Sequence, residues 1–459
     1  MRSQKMQSAT SVALDTIALE DDAVGFTRGR AARAHTRGKR LACVMTREWR
    51  VRYPSSNAAG KEPTIAQSVV VGNVVFVSGC TCDNGGKRAP RRVEDQVTLA
   101  LENTRCALEA AGSRMESVVK TFFLLTDLDH YGRVRKTETE FYELYAPQLV
   151  TTPPAATLMV VPSLARREFL VQYEVIAALD RGAPGWRVRY YPEYWAGKEL
   201  AYPHVSKEHA KFARSQSIGN LLIISGCQGL DHETVRVESS DFAEQSRVVL
   251  DKIRAAVEEP GGSLANLVKT NVFIKDASTL PIYREIEQAF FRQYAPEVAR
   301  DPPASTVFVV SELPRPEFLI EVEAFAVADA ATPGWPMHRQ AGTADAAESV
   351  TAGRLVFLSA CDAGPDGSAS TSIEREVTTA LDNLSDALAR AGSAFSKIIK
   401  ITLMLSDVDE HATMQSALVA YYREHAPQLV ATPAASTFLG VAAMGPGGAR
   451  FQVDAVAVI

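Results

Sequence analysis

Three cysteines stand at matching places in this chain: Cys80 in FVSGC, Cys227 in IISGC and Cys361 in FLSAC. Each ends an apolar run after small residues, where an ionised thiol could act as a nucleophile or bind a soft electrophile. No histidine occupies a matching nearby position, and small buried cysteines also serve as core filler. Three aspartates recur as well, Asp127, Asp276 and Asp407, each between an apolar strand and a helical pattern. Their recurrence looks catalytic, yet an aspartate just ahead of a helix is most simply an N-cap or turn residue. Cys80–Thr81–Cys82 is CxC with no second pair, and the eight histidines form neither HxxxH nor HExxH. Neither spacing is that of a zinc site, so no metal is expected.

The elements that position these residues are written three times. Pro302–Phe325 (PPASTVFVVSELPRPEFLIEVEAF) has an earlier copy at Pro153–Ile176 and a later one at Pro433–Val456. Each reads as two short strands joined by a turn, the last with the alternation of a half-buried strand. Ahead of each copy comes an apolar hairpin ending at the cysteine, then an amphipathic helix near Val93–Ala111, Ser239–Val257 or Ser372–Ala391. Gly112 and Gly392 stand where such helices stop. A β-branched strand follows (Val118–Leu125, Leu267–Ile274, Ile398–Leu405), then a second helix ending at YAP, YAP or HAP. The order β-hairpin, α, β, α, β, β predicts an α+β unit, a mixed sheet with both helices on one face.

Units are expected at residues 48–181, 185–330 and 335–459. The first two open on Trp49 and Trp186 with WRVRY and carry AGKE at Ala59–Glu62 and Ala196–Glu199, whereas the third keeps only Trp335. The links RGAPG and AATPG are short, which favours units packed against each other. Residues 1–47 lack periodicity and end in a basic run, Arg28–Arg40, so they read as a disordered basic extension. Glu20–Asp21–Asp22 argues against a transit peptide, and no apolar run has the length of a secretory core or a membrane span. Cytoplasmic is then the default location. The net charge of -5 gives no reason to expect nucleic acid, and no phosphate loop, Rossmann glycine pattern or haem motif implies a cofactor.

The order of elements, VSG after the first strand, D-x-x-x-(F/Y/L) at helix two and P-A-x-S-T-V before the last strands resemble the Rid (reactive intermediate deaminase, YjgF-like) family. The resemblance covers about Trp49 to Ile459 and implies three chorismate-mutase-like units. Family members are usually homotrimers with ligand clefts between neighbours. It therefore implies a pseudo-threefold trimer in one chain, a monomer acting as a covalent trimer.

The resemblance also assigns residues. The family's carboxylate-binding arginine of P-A-R-S-x-V falls at Ala155, Ala304 and Ala435, so that guanidinium is absent throughout. The acidic residue that holds the hydrolytic water matches Glu321, with Gln172 and Gln452 in its place elsewhere. The helix-two asparagine is replaced by Arg135, Arg284 and Gln415, which would move the guanidinium from strand to helix; a solvated helix arginine is the plainer alternative. An aromatic clamp survives only as Phe212, against Ile65 and Ala346, and Thr157, Thr306 and Thr437 could point hydroxyls into the clefts. The expected site thus joins Arg284, Thr306, Phe212 and Glu321 to Cys80 or Cys361, with Arg135 and Thr157 binding in a second cleft. The aromatic segment Tyr190–Phe212 could cover a cleft or pack at a unit junction. Two functions remain open: an enamine or imine hydrolase (deaminase) acting on a small unsaturated carboxylic acid, and a non-catalytic ligand-binding or interaction scaffold of degenerate units. A third, the RNA cleavage sometimes ascribed to the family, is not supported by the acidic net charge or the scattered histidines.

Overall fold

Each hairpin turns on a glycine with positive φ. Gly72, Gly219 and Gly353 have φ of 59°, 59° and 64°, the left-handed conformation that a tight two-residue β-turn requires. The strands joined are Ser68–Val71 with Val74–Cys80, Ala213–Ile218 with Leu221–Gln228, and Ser349–Ala352 with Leu355–Leu358. The computed structural model describes residues 49–53, 65–85, 88–193, 212–231, 234, 236–364, 372–444 and 448–459. The basic stretch 1–47, both AGKE motifs and residues 194–211 of the aromatic segment lie outside the described residues.

The three β-branched strands run over Val118–Leu125, Leu267–Ile274 and Ile398–Leu405, as their sequence predicts. The strand after helix two lies parallel to this middle strand, as at Ala155–Val160. The closing strand (Val171–Ala178, Ile320–Val327, Phe451–Val458) slots antiparallel between the middle strand and the hairpin. The two closing strands therefore do not pair with each other. Their polar turn carries the chain past the middle strand instead of folding it back.

Helix one (Val93–Ala110, Phe242–Glu258, Ile373–Arg390) and helix two (Tyr131–Tyr145, Leu280–Tyr294, His411–His425) bury their apolar stripes against one face of each sheet. Asp127, Asp276 and Asp407 accept the backbone N–H two residues on, the capping role expected of them.

The other faces of the three sheets meet one another. A parallel bridge joins Ala155 to Ala213, Ala304 to Ala347 and Ala435 to Ala66, so contact runs from unit 1 to 2, 2 to 3 and 3 back to 1. Trp49, Trp186 and Trp335 cluster with ring centroids 4.9, 5.1 and 5.7 Å apart, one tryptophan from each unit. Val119, Val268 and Ile399 join this cluster. Further along the same strands, Phe122, Phe273 and Met404 enter a second shared cluster.

Candidate functional site

Between those two apolar layers lies a charged one. Each middle strand carries a bulge just before a lysine, which turns Lys120, Lys269 and Lys400 inward instead of toward the helices. Each ammonium bonds a threonine of its own unit (Thr157, Thr306, Thr437) and a carboxylate of a neighbour. The cross-unit pairs are Lys120–Glu323 at 2.5 Å, Lys269–Asp454 at 2.5 Å and Lys400–Glu174 at 3.0 Å. The same threonine hydroxyls also bond those carboxylates. Burial pulls the Lys269 pKa down, and Asp454 opposes that pull. The six charged groups and Asn271 surround a cavity of about 60 Å³. This ring escaped the reading of the sequence, although VVKT, LVKT and IIKI show one charged residue recurring inside an apolar strand.

Outside the ring run three seams. Between units 1 and 2 the Ala156 N–H donates to Ser225 Oγ at 2.9 Å, and the Gly226 N–H donates to Thr157 Oγ1 at 3.1 Å. Between units 2 and 3 the Ser305 N–H donates to Ser359 Oγ at 2.9 Å. Between units 3 and 1 the Ser436 N–H donates to Ser78 Oγ at 2.7 Å, and Gln172 Nε2 donates to the Phe438 carbonyl at 3.1 Å.

Glu321 belongs to the first seam. It is 0% exposed, and its carboxyl lies so close over Gly226 that a Cβ there would stand 1.8 Å from Oε1. Neither oxygen has a hydrogen-bond partner of good geometry among the described residues. Burial pushes its carboxyl up to about 8, against the pull of the Gln228 side chain and of Lys120 and Lys252. Glu323 reinforces the rise. Tyr131, opening helix two of unit 1, is raised by burial and feels the charges of Arg135, Glu138, Glu321 and Arg315. Tyr131 thus lies within reach of the charges of both Glu321 and Arg135.

The expected site is therefore divided. Arg284 donates to Glu287 at 2.6 Å and to Ser305 Oγ at 2.9 Å, on the seam that leads to Ser359. Thr306 is bound to Lys269 and Asp454 on that same side. Glu321 lies instead with Thr157 and Gly226, because the closing strand of a unit faces the unit before it. Arg135 pairs with Glu138 at 2.6 Å. The hydroxyls of Thr157 and Thr306 serve the lysine ring and are not turned to a ligand.

The cysteines turn away from the shared interior. The strand bulges after Val77, and a matching irregularity lies between Ile224 and Cys227. Beyond the bulge Cys80, Cys227 and Cys361 pack into the helix-side cores of their own units. The thiols of Cys80 and Cys227 approach the carbonyls of Ser78 and Ser225 at 3.4 and 3.5 Å. Burial pushes Cys80 up to about 11 and Cys227 and Cys361 up to about 12. Such thiols are not ionised near neutral pH, and Cys80 and Cys361 sit half-buried against the edges of those cores.

Ala155, Ala304 and Ala435 point into the shared interior. The strand position beside helix two is one residue on, at Ala156, Ser305 and Ser436, and none of these is arginine. Phe212 packs against the second shared apolar cluster. No group of three metal-ligating side chains occurs among the described residues, and none of their helices is long and apolar enough to cross a membrane.

An α+β sheet with two helices on one face, repeated three times and joined through its open faces, defines the class. Residues 60–179, 205–328 and 341–459 each match the model of the endoribonuclease L-PSP family, and the chain belongs to that family as three tandem Rid-like units. A RutC family protein of Pyrococcus horikoshii is 32% identical over 130 residues, 28% of this chain and 97% of that protein. The 2-iminobutanoate/2-iminopropanoate deaminase of Escherichia coli is 31% identical over 130 residues, again 28% and 97%. The crystal structure of the Escherichia coli YjgF gene product is 26% identical with a TM-score of 0.24, covering 28% of this chain and 94% of that one.

Proposed function

We propose that the seam between units 1 and 2 hydrolyses a small imine, or the enamine that tautomerises to it, of a carboxylic acid. The observation that carries this reading is Glu321, a fully buried carboxyl with a pKa near 8 on the seam that also holds Tyr131 and Arg135. A carboxyl neutral at pH 7 is a general acid. It protonates the imine nitrogen, and the carboxylate so formed takes a proton from the water that attacks the imine carbon. The same carboxyl then protonates the carbinolamine nitrogen. Ammonia leaves, and the hydroxyl left on carbon returns its proton to the Glu321 carboxylate as it becomes the keto group. Arg135 holds the substrate carboxylate. Burial pushes the Glu138 carboxyl up, and the Arg135 charge opposes that rise. The relative named as a 2-iminobutanoate/2-iminopropanoate deaminase supports the substrate class. Closure of all three bridges between units within one chain supports a monomer acting as a covalent trimer.

Two observations favour a binding scaffold instead. The seam between units 3 and 1 is sealed by the Gln172–Phe438 bond, and no seam has an arginine at the strand position beside helix two. Release of ammonia and keto acid from enzymatically generated 2-aminoacrylate and 2-iminobutyrate separates the readings. Hydrolysis is expected to fall by about 100-fold or more in Glu321→Gln, to weaken in Arg135→Ala, and to survive Arg284→Ala. A wild-type rate no higher than buffer leaves the scaffold.

A further inference from the structure

Helix one fastens the strand end after each cysteine in the same way in all three units, with one exception in chemistry. In units 1 and 2, Gln96 and Gln245 anchor the closing-strand turn, accepting the N–H of Leu170 and of Leu319. Glu376 takes this place in unit 3, accepting the N–H of Arg450. Two helical turns further on, Asn103 donates to the carbonyls of Thr81 and Asp83, and Asn383 donates to that of Asp362. In unit 2 the place belongs to Lys252, whose Nζ donates to the Gln228 carbonyl at 3.1 Å. Gln228 lies directly across the sheet from Glu321.

An asparagine does the mechanical job in two units, so a buried ammonium in the third needs another reason. Lys252 is nearly fully buried, and burying a long cationic side chain costs more than burying an amide. We propose that Lys252 is a positioning residue for Glu321, its ammonium stabilising the carboxylate that forms when the Glu321 proton moves to the imine nitrogen. The proposal rests on the acid–base reading of Glu321. It explains why the lysine occurs only in the unit that has a glutamate at this strand position, where the others have Gln172 and Gln452.

The charged surroundings fit. Around Glu321 stand Lys120 and Glu323 from the ring, Lys252 from helix one, and Tyr131 from helix two of unit 1. Around Lys252 stand Cys227, Glu193, Asp231 and Glu321. Lys120 has a counterpart in every seam; Lys252 has none.

The test uses the full chain with Lys252→Asn, the residue of the sibling units, and Lys252→Arg, which keeps the charge. Carboxyl-¹³C glutamate labelling follows the titration of Glu321, assigned as the signal lost in Glu321→Gln. In Lys252→Asn the midpoint is expected to rise by about one pH unit, and the alkaline limb of the hydrolysis profile to rise with it while kcat falls. Lys252→Arg should keep both near wild type. Should Lys252→Asn fail to fold, Lys252→Gln, which can also donate to the Gln228 carbonyl, carries the same test. An unmoved midpoint in a folded neutral variant overturns the proposal. Because the titration is read without turnover, a missing hydrolase activity would count against the proposed function and not against this electrostatic link.

Discussion

Replacing Glu321 by glutamine should make the protein more stable as the pH rises, although it removes the proposed catalytic group. In the folded chain burial lifts the Glu321 pKa from 4.5 to about 8. In the unfolded chain it titrates normally. The folded state therefore keeps a proton that the unfolded state releases, and stability contributed below pH 4.5 is lost as pH rises toward 8. Between pH 4.5 and 7 that loss is about 3 kcal/mol. Glu321→Gln has no such proton and can keep the shape of the side chain over Gly226. Urea unfolding of both proteins, followed through the tryptophan cluster, gives the difference at each pH. The variant should gain about 3 kcal/mol on wild type between pH 4.5 and 7, with little further change above 8. A stability gap that stays constant across this range would show that Glu321 ionises normally, and the general-acid argument would fall with it.

Two further outcomes test the interior. Lys120→Met should cost about 3 kcal/mol, at the lower end for breaking a buried pair, because Glu323 keeps the Thr157 hydroxyl and the Asn271 amide at 2.8 Å. Adding Glu323→Gln should recover most of it; strictly additive losses in a double-mutant cycle would deny the coupling. Alanine at Cys80, Cys227 and Cys361 together should leave turnover intact at a cost of about 1 kcal/mol per site. Thiol reagents should react slowly with these sites in the native protein at pH 8, since burial holds the thiols near 11 to 12. Loss of activity with folding preserved would return the cysteines to the chemistry.

The sequence by itself determined the threefold repeat, the order of elements and the middle strands to the residue, because β-branched alternation and helical periodicity are local signals. Capping by Asp127, Asp276 and Asp407 was equally local. The absence of a strand arginine was legible too, although the relevant position proved to be Ala156, Ser305 and Ser436. Only the tertiary structure decided which residues share a site. A bulge beside each cysteine reverses the alternation, sending the thiols into the helix-side cores, and a bulge before each lysine turns Lys120, Lys269 and Lys400 to the centre. One residue inserted in a strand flips every side chain beyond it, and no composition or spacing announces it. The direction of the ring between units was likewise beyond local reach: Glu321 lies over Gly226 on the seam with unit 1, while Arg284 lies on the seam with unit 3. That choice is made by contacts between segments more than a hundred residues apart, such as Thr157 with Glu323 on one side and Thr306 with Asp454 on the other.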